Sequence, residues 1–237
     1  MRAVPEIVSA VLAHAAQCLP RECCGLVVRD AAGERYIPCR NIAMRSDDFE
    51  IDPDDFMHAE DAGEIVMVAH SHVFEPARPS LADLVGCESS GLPWLIVQAQ
   101  SGVHVVIEPN GFEAPLIGRP YRYGVLDCWT LVRDWFHQVR GIALDPISAE
   151  EGWDKKGLDL FRLHMGAQGF IEIGADEAAP GDVPLMQFGT TVPNHIGVLL
   201  EDGRLLHHCK DRDSSVDVFG RHWRQYTVGA ARYIGNS

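Results

Sequence analysis

The stretch "EPNGFEAPLIGRPYRYG", Glu108 to Gly124, limits what this chain can fold into more than any other. Pro109, Pro115 and Pro120 have no N–H to give a backbone ladder. Gly111, Gly118 and Gly124 add conformational freedom between them. The stretch has little apolar periodicity, so it reads as a linker or a domain entrance. It predicts two domains of ordinary size, over residues 1–112 and 118–237, rather than one continuous core.

Composition sets the class. Hydrophobic residues make up 46% of the 237, enough for packed cores and too many for a disordered chain. The formal charge of −14 makes the chain a poor partner for phosphate backbones, so no nucleic-acid role is expected. No apolar run approaches the roughly 20 residues of a membrane span. The N-terminal "MRAVPEIVSAVLAHAAQC" has a signal-like Arg2, but Pro5, Glu6, His14 and Gln17 interrupt its apolar stretch. Ile7, Val11, Ala15 and Cys18 recur at helical spacing, which predicts an amphipathic first helix and no secretion signal. The seven cysteines are an odd number with no C-x-x-C pair, which fits reduced thiols in a cytoplasm.

The first half reads helix, strands, helix, strands. "CGLVVRDAAGERYIPCRN" suggests a hairpin turning near Ala32-Gly33. "EIVMVAHSH" is a strand, "SLADLVGCESSG" a short helix, and "WLIVQAQ" and "VHVVIE" two more strands. In the second half Leu131, Val132, Trp135, Phe136 and Val139 form one apolar helical stripe, which Gly141 ends. "LDLFRLHMGAQG" is a weaker helix, "HIGVLLEDGRLLHHC" a hairpin and "AARYIG" a last strand, the order of an α+β domain.

His70 and His72 are two apart on a strand, so they share a face at its end. With Asp83 from the following helix they make a sound catalytic zinc ligand set, leaving a fourth position for water. A base beside that water is also needed, and Glu22 at the start of another strand can supply it. Ser80 and Asp83 also make a plain capping box, which by itself would explain both.

In the second half Asp127 can cap a helix that opens with Cys128. The helix N-terminus favours a thiolate there. A nucleophilic thiol also needs a base, usually a histidine held by a third polar group. His195 opens the first strand of the late hairpin. A three-residue turn Glu201-Asp202-Gly203 places His207 on the same face as His195. A two-residue Asp202-Gly203 turn places His208 there instead, and local geometry permits both.

Two resemblances go further. H-x-H, seven residues, Ser, two residues, Asp, with Glu22 upstream in "RECCGLVV", resembles the JAMM motif of JAB/MPN metalloproteases. The resemblance implies a mixed sheet with flanking helices and Zn2+ held by His70, His72 and Asp83. It also implies that Glu22 activates water and Ser80 steadies the oxyanion. "DCWTLVR", "PGDVPLMQ" and "NHIGVLLEDGRLLHH" together resemble an NlpC/P60 cysteine peptidase, a papain-like α+β domain. That resemblance implies a Cys128–His195–His207 triad, with Tyr123 near the oxyanion region. Trp129 stands where that family usually has Ser or Gly.

The two domains in this order resemble the tail-tip assembly protein K family of lambda-like phages. This implies a two-domain fold, α/β plus α+β, and hydrolysis of bacterial peptidoglycan peptides. It also implies tail-tip proteins as partners, and a place in the host cytoplasm during assembly and at the virion tail tip. Two function classes follow: a bifunctional peptidase, or a tail-assembly factor that works through its surface with partly vestigial sites.

Overall fold

A computed structural model of the chain describes residues 4–235; Arg2 of the signal-like stretch lies outside them. The chain forms two compact units that part between Glu113 and Ala114, inside the Pro/Gly-rich stretch.

The first unit carries helix α1 (Pro5–Cys18), strands β1 (Cys24–Asp30) and β2 (Gly33–Cys39), helix α2 (Pro53–Ala62), strand β3 (Glu64–His72), helix α3 (Leu81–Ser90), and strands β4 (Trp94–Gln98) and β5 (His104–Ile107). The sheet order is β2-β1-β3-β4-β5. Only β3 and β4 run parallel, joined by the crossover through α3. Ile7, Val8, Val11 and Ala15 of α1 bury one face of the sheet, against Val27, Met67, Ala69, Leu95 and Val97. Ala59 of α2 and Cys87 of α3 cover the other face, with Leu26, Val28, Val68 and Trp94. β3 is central and covered on both sides, hence its near-continuous apolar run. Residues 68, 70 and 72 share the α3 side by strand alternation, and Ser71 faces the other way, where its Oγ accepts from Cys23 N at 2.9 Å.

α2 escapes the reading by periodicity because it has no apolar stripe; Ala59 is its one buried residue. Its signals are local: Asp52 caps it, Pro53 opens it and Gly63 follows it.

The second unit carries α4 (Cys128–Arg140), a 3₁₀ turn (Trp153–Lys156), α5 (Leu160–Met165), β6 (Phe170–Ile173), β7 (Val183–Met186), β8 (His195–Leu199), β9 (Arg204–His207), β10 (Ser215–Val218), the single turn α6 (Arg221–Arg224) and β11 (Thr227–Tyr233). The antiparallel sheet runs β10-β9-β8-β7-β11-β6. Leu131, Val132, Trp135 and Phe136 of α4 pack on one face, against Leu185, Ile196, Val198 and Leu206. Val139 departs from the expected stripe: it is exposed, two residues before the Gly141 that ends the helix. Leu199 and Leu205 face the opposite way, under Phe219 and Trp223.

The β8–β9 turn is the three-residue one. Gly203 sits at φ +73°, Leu199 pairs with Leu205, and Gly197 pairs with His207. His195 and His207 therefore share the Trp223 face.

Candidate functional site

In the first unit three side chains converge where β3 ends and α3 begins. His70 Nε2 lies 3.2 Å from Asp83 Oδ1, and His72 Nε2 lies 3.3 Å from Asp83 Oδ2. The two Nε2 atoms are 3.2 Å apart. Local structure fixes each group. Phe49 stacks on His70 at 4.5 Å and Trp94 meets it edge-on at 5.6 Å. His72 Nδ1 donates to Pro76 O at 2.7 Å. Ser80 caps α3: its Oγ accepts from Asp83 N at 3.1 Å while Asp83 Oδ2 accepts from Ser80 N at 2.7 Å. The capping box and the convergence on the histidines thus coexist in the same two residues.

The arrangement fits a cation. With its proton on Nδ1 toward Pro76, a neutral His72 aims a bare lone pair at a carboxylate, a repulsive contact unless something positive stands between them. Three donors around one tetrahedral zinc, at Zn–N and Zn–O of about 2.0–2.1 Å, lie about 3.4 Å apart, close to the spacings here. Without an ion, protons take the same role. Burial works against a charged His72, but the Asp83 contact and Pro76 O outweigh it and raise the imidazole to about 8. Burial also opposes an ionised Asp83, yet hydrogen bonds from His70 and His72 hold it well below the usual carboxylate range. His70 is fully enclosed, so burial lowers its pKa, and its Nδ1 has no hydrogen-bond partner among the described residues. Glu22 is buried nearby. Burial first, then the charge of Asp83, push it up to about 8, against the pull of His72. It holds a proton at neutral pH when no cation is present.

In the second unit Asp127 caps α4, accepting from Thr130 N at 2.9 Å and, through its other oxygen, from Gly124 N at 2.9 Å. Cys128 is the first helical residue. The Ile196 backbone N–H, one residue from His195 on β8, favours its thiolate. Burial, and then the Asp127 charge, push the thiol above its usual range. Burial drops His195 to about 3. The resting pair is therefore a neutral thiol and a neutral imidazole, the helix terminus notwithstanding. No direct hydrogen bond joins the two side chains among the described residues; such contacts commonly tighten only when substrate binds.

His195 Nε2 lies 3.3 Å from His207 Nδ1. Behind His207, Asp217 Oδ2 stands 3.2 Å from its Nε2, as an ion-pair contact off the N–H axis. His208 points away, edge-on to Tyr121 at 5.3 Å. Tyr123 packs on the α4 core and its hydroxyl donates to Ala149 O at 2.9 Å. Trp129 lines a small apolar cavity with Phe161, Phe170 and Leu185.

Two nearby groups escape a reading by motif. Asp217 sits on β10, a four-residue strand with no flanking signature. Cys209 sits two residues past His207, 3.4 Å from its Nδ1 and 3.7 Å from His195 Nε2. The i, i+2 spacing is visible in the sequence, but a lone cysteine is more often packing.

Comparison with known proteins finds one family in each unit. Residues 4–109 match the family of prokaryotic homologs of the JAB domain, and residues 118–232 match the NlpC/P60 family. The tail tip assembly protein K of Escherichia phage N15 is 37% identical over 231 residues, covering 96% of this chain and 94% of that protein. The chain belongs to the tail tip assembly protein K family. The phage lambda member is 35% identical over 182 residues, covering 76% of this chain and 88% of that protein. A solved NLP/P60-family structure from Staphylococcus aureus, described as similar to a lipoprotein, is 15% identical and covers 97% of this chain and 62% of its own, at a TM-score of 0.36.

Proposed function

We propose that this protein K family member is a tail-tip assembly protein with two hydrolytic centres, one zinc-dependent and one thiol-based. The observation that carries the reading is the completeness of both side-chain sets: a convergent His70–His72–Asp83 cluster beside a protonatable Glu22, and a His195–His207–Asp217 line beside Cys128.

In the first centre His70, His72 and Asp83 would hold zinc, and Pro76 O fixes the tautomer and aim of His72. A bound zinc supplies Lewis-acid polarisation and a lowered pKa for water. Glu22 moves the proton, since its buried carboxyl lies near His72 and Asp83. Ser80 keeps its hydroxyl hydrogen for an oxyanion, because its oxygen accepts, and does not donate, in the helix cap.

In the second centre the negative charge of Asp217 favours the His207 proton on Nε2, leaving Nδ1 bare. His195 then donates from Nε2 to His207, which leaves His195 Nδ1 as the free base. Cys128 passes its proton there as the sulfur attacks a peptide carbonyl, and the same nitrogen returns it to the leaving amine. Tyr123 lines the oxyanion region. The substrate class is the peptide of bacterial peptidoglycan, with the bond between D-glutamate and a diamino acid as the expected target. Tail-tip proteins are the partners, met in the host cytoplasm and carried to the virion tail tip. Among the described residues no helix is long and apolar enough to cross a membrane.

The metal half is tested by elemental analysis of the full chain. His70→Ala, His72→Ala and Asp83→Ala should each lose one zinc per chain, and Glu22→Gln should keep it, because ligands hold the ion while the base touches only its water. Equal zinc content in the wild type and in folded His72→Ala would contradict the assignment.

A further inference from the structure

The catalytic line described above leaves Cys209 unused, yet its sulfur touches both histidines of that line. Three donor atoms lie close together: His195 Nε2, His207 Nδ1 and Cys209 Sγ. The nitrogens are 3.3 Å apart, and the sulfur is 3.4 Å and 3.7 Å from them. Around a tetrahedral zinc, with Zn–N of about 2.0–2.1 Å and Zn–S of about 2.3 Å, donors sit about 3.4 Å (N to N) and about 3.6 Å (N to S) apart. The observed triangle matches without rearrangement.

The surroundings complete such a site. Asp217 at His207 Nε2 is the outer carboxylate that a metal-bound histidine ordinarily has, and it turns the lone pair of Nδ1 inward. Trp223 packs 4.4 Å from the His207 ring and 6.1 Å from that of His195, holding both. The β8–β9 register fixes their separation. Cys209 is partly exposed, which gives an ion a path in and leaves the fourth position to water. A thiolate with two imidazoles selects zinc over magnesium or calcium.

We propose that His195, His207 and Cys209 form a second zinc site, and that filling it switches the peptidase off. Binding deprotonates Cys209 and releases that proton to solvent; no redox change occurs. With Nε2 of His195 on the metal, the ring's one proton must sit on Nδ1. That nitrogen can no longer accept the proton of Cys128. His207 loses its orienting lone pair at the same moment. The switching half rests on the catalytic roles proposed above, and the binding half does not.

Cobalt(II) titration of the full chain separates the two halves. A thiolate-bound cobalt gives a sulfur-to-cobalt charge-transfer band in the near ultraviolet, and the His70–His72–Asp83 cluster has no sulfur to produce one. Wild type and Cys128→Ser should both show the band, and Cys209→Ser should lack it; Cys209→Ala replaces that variant if it misfolds. Zinc should inhibit peptidoglycan cleavage by wild type, and Cys209→Ser should need at least tenfold more zinc for half-inhibition, each relative to its own zinc-free rate. Absence of the band in wild type, or its survival in Cys209→Ser, would overturn the site. A band with zinc-insensitive cleavage would overturn the switch. A band in a chain that cleaves nothing even without zinc supports the site and contradicts the peptidase reading instead.

Discussion

His207 and His208 are neighbours in sequence and both fully enclosed, yet only His207 faces His195. Adjacent strand residues point to opposite sides, so no small adjustment lets them exchange. His207→Ala should lower kcat by roughly 10²-fold or more, because the base loses its tautomer and aim. His208→Ala should cost stability, by about 1–3 kcal/mol for an emptied buried position. Its kcat per folded molecule should stay near wild type. Steady-state kinetics beside a denaturant titration would separate the two effects; the opposite ranking would contradict the relay. Asp217 acts one step further back. Asp217→Ala should slow turnover, and Asp217→Asn, whose amide oxygen can still accept a hydrogen bond from His207, should slow it less. The sequence shows the histidine and cysteine positions because each sits at an element boundary with a strong local signal. Asp217 is not visible there, because its role comes from the pairing of β9 with β10 rather than from any motif.

At the scale of elements, the hairpin β8–β9 depends on Gly197. A Cβ there would stand 2.5 Å from Leu206 O and 2.9 Å from His207 Cβ, so the strands must part. Gly197→Ala should therefore lose both stability and turnover, although alanine is ordinarily the better strand residue. Gly86 in α3 gives a similar reversal of sign. Helix propensity alone says Gly86→Ala stabilises by about 1 kcal/mol. But its Cβ would lie 2.3 Å from the Trp94 ring, which also walls His70. The variant should be less stable, by about 1–3 kcal/mol as overpacked cores are, and should bind zinc more weakly. Urea unfolding and metal content check both. Strands and helices with a buried stripe were legible from periodicity: α1, β3, α3, β4, α4 and the late hairpin. α2, β6 and β10 were not. α2 buries almost nothing, and the two strands are four residues long with mixed faces, too short for an alternation to stand out.

At the scale of the whole molecule, the two units have separate cores and should respond separately to conditions. In the second unit burial lowers the pKa of His195, His207 and His208 together, His195 to about 3. Unfolding lets them return toward 6.5 and bind protons the folded state refuses. Stability is therefore full above about pH 6.5 and is lost as pH falls toward 3. Calorimetry between pH 8 and 5 should show the transition of this unit moving down below about 6.5, with a flatter slope in His195→Asn. A slope unchanged by that substitution would place the acid sensitivity elsewhere. The two centres should also be chemically independent, since the thiol centre needs no metal for turnover. The most direct test is digestion of purified peptidoglycan by the full chain, with products read by mass spectrometry. Wild type should release cleaved peptides, with or without a chelator, and Cys128→Ser should release none. Cleavage that survives in Cys128→Ser, or that a chelator abolishes, would contradict a thiol centre that works on its own.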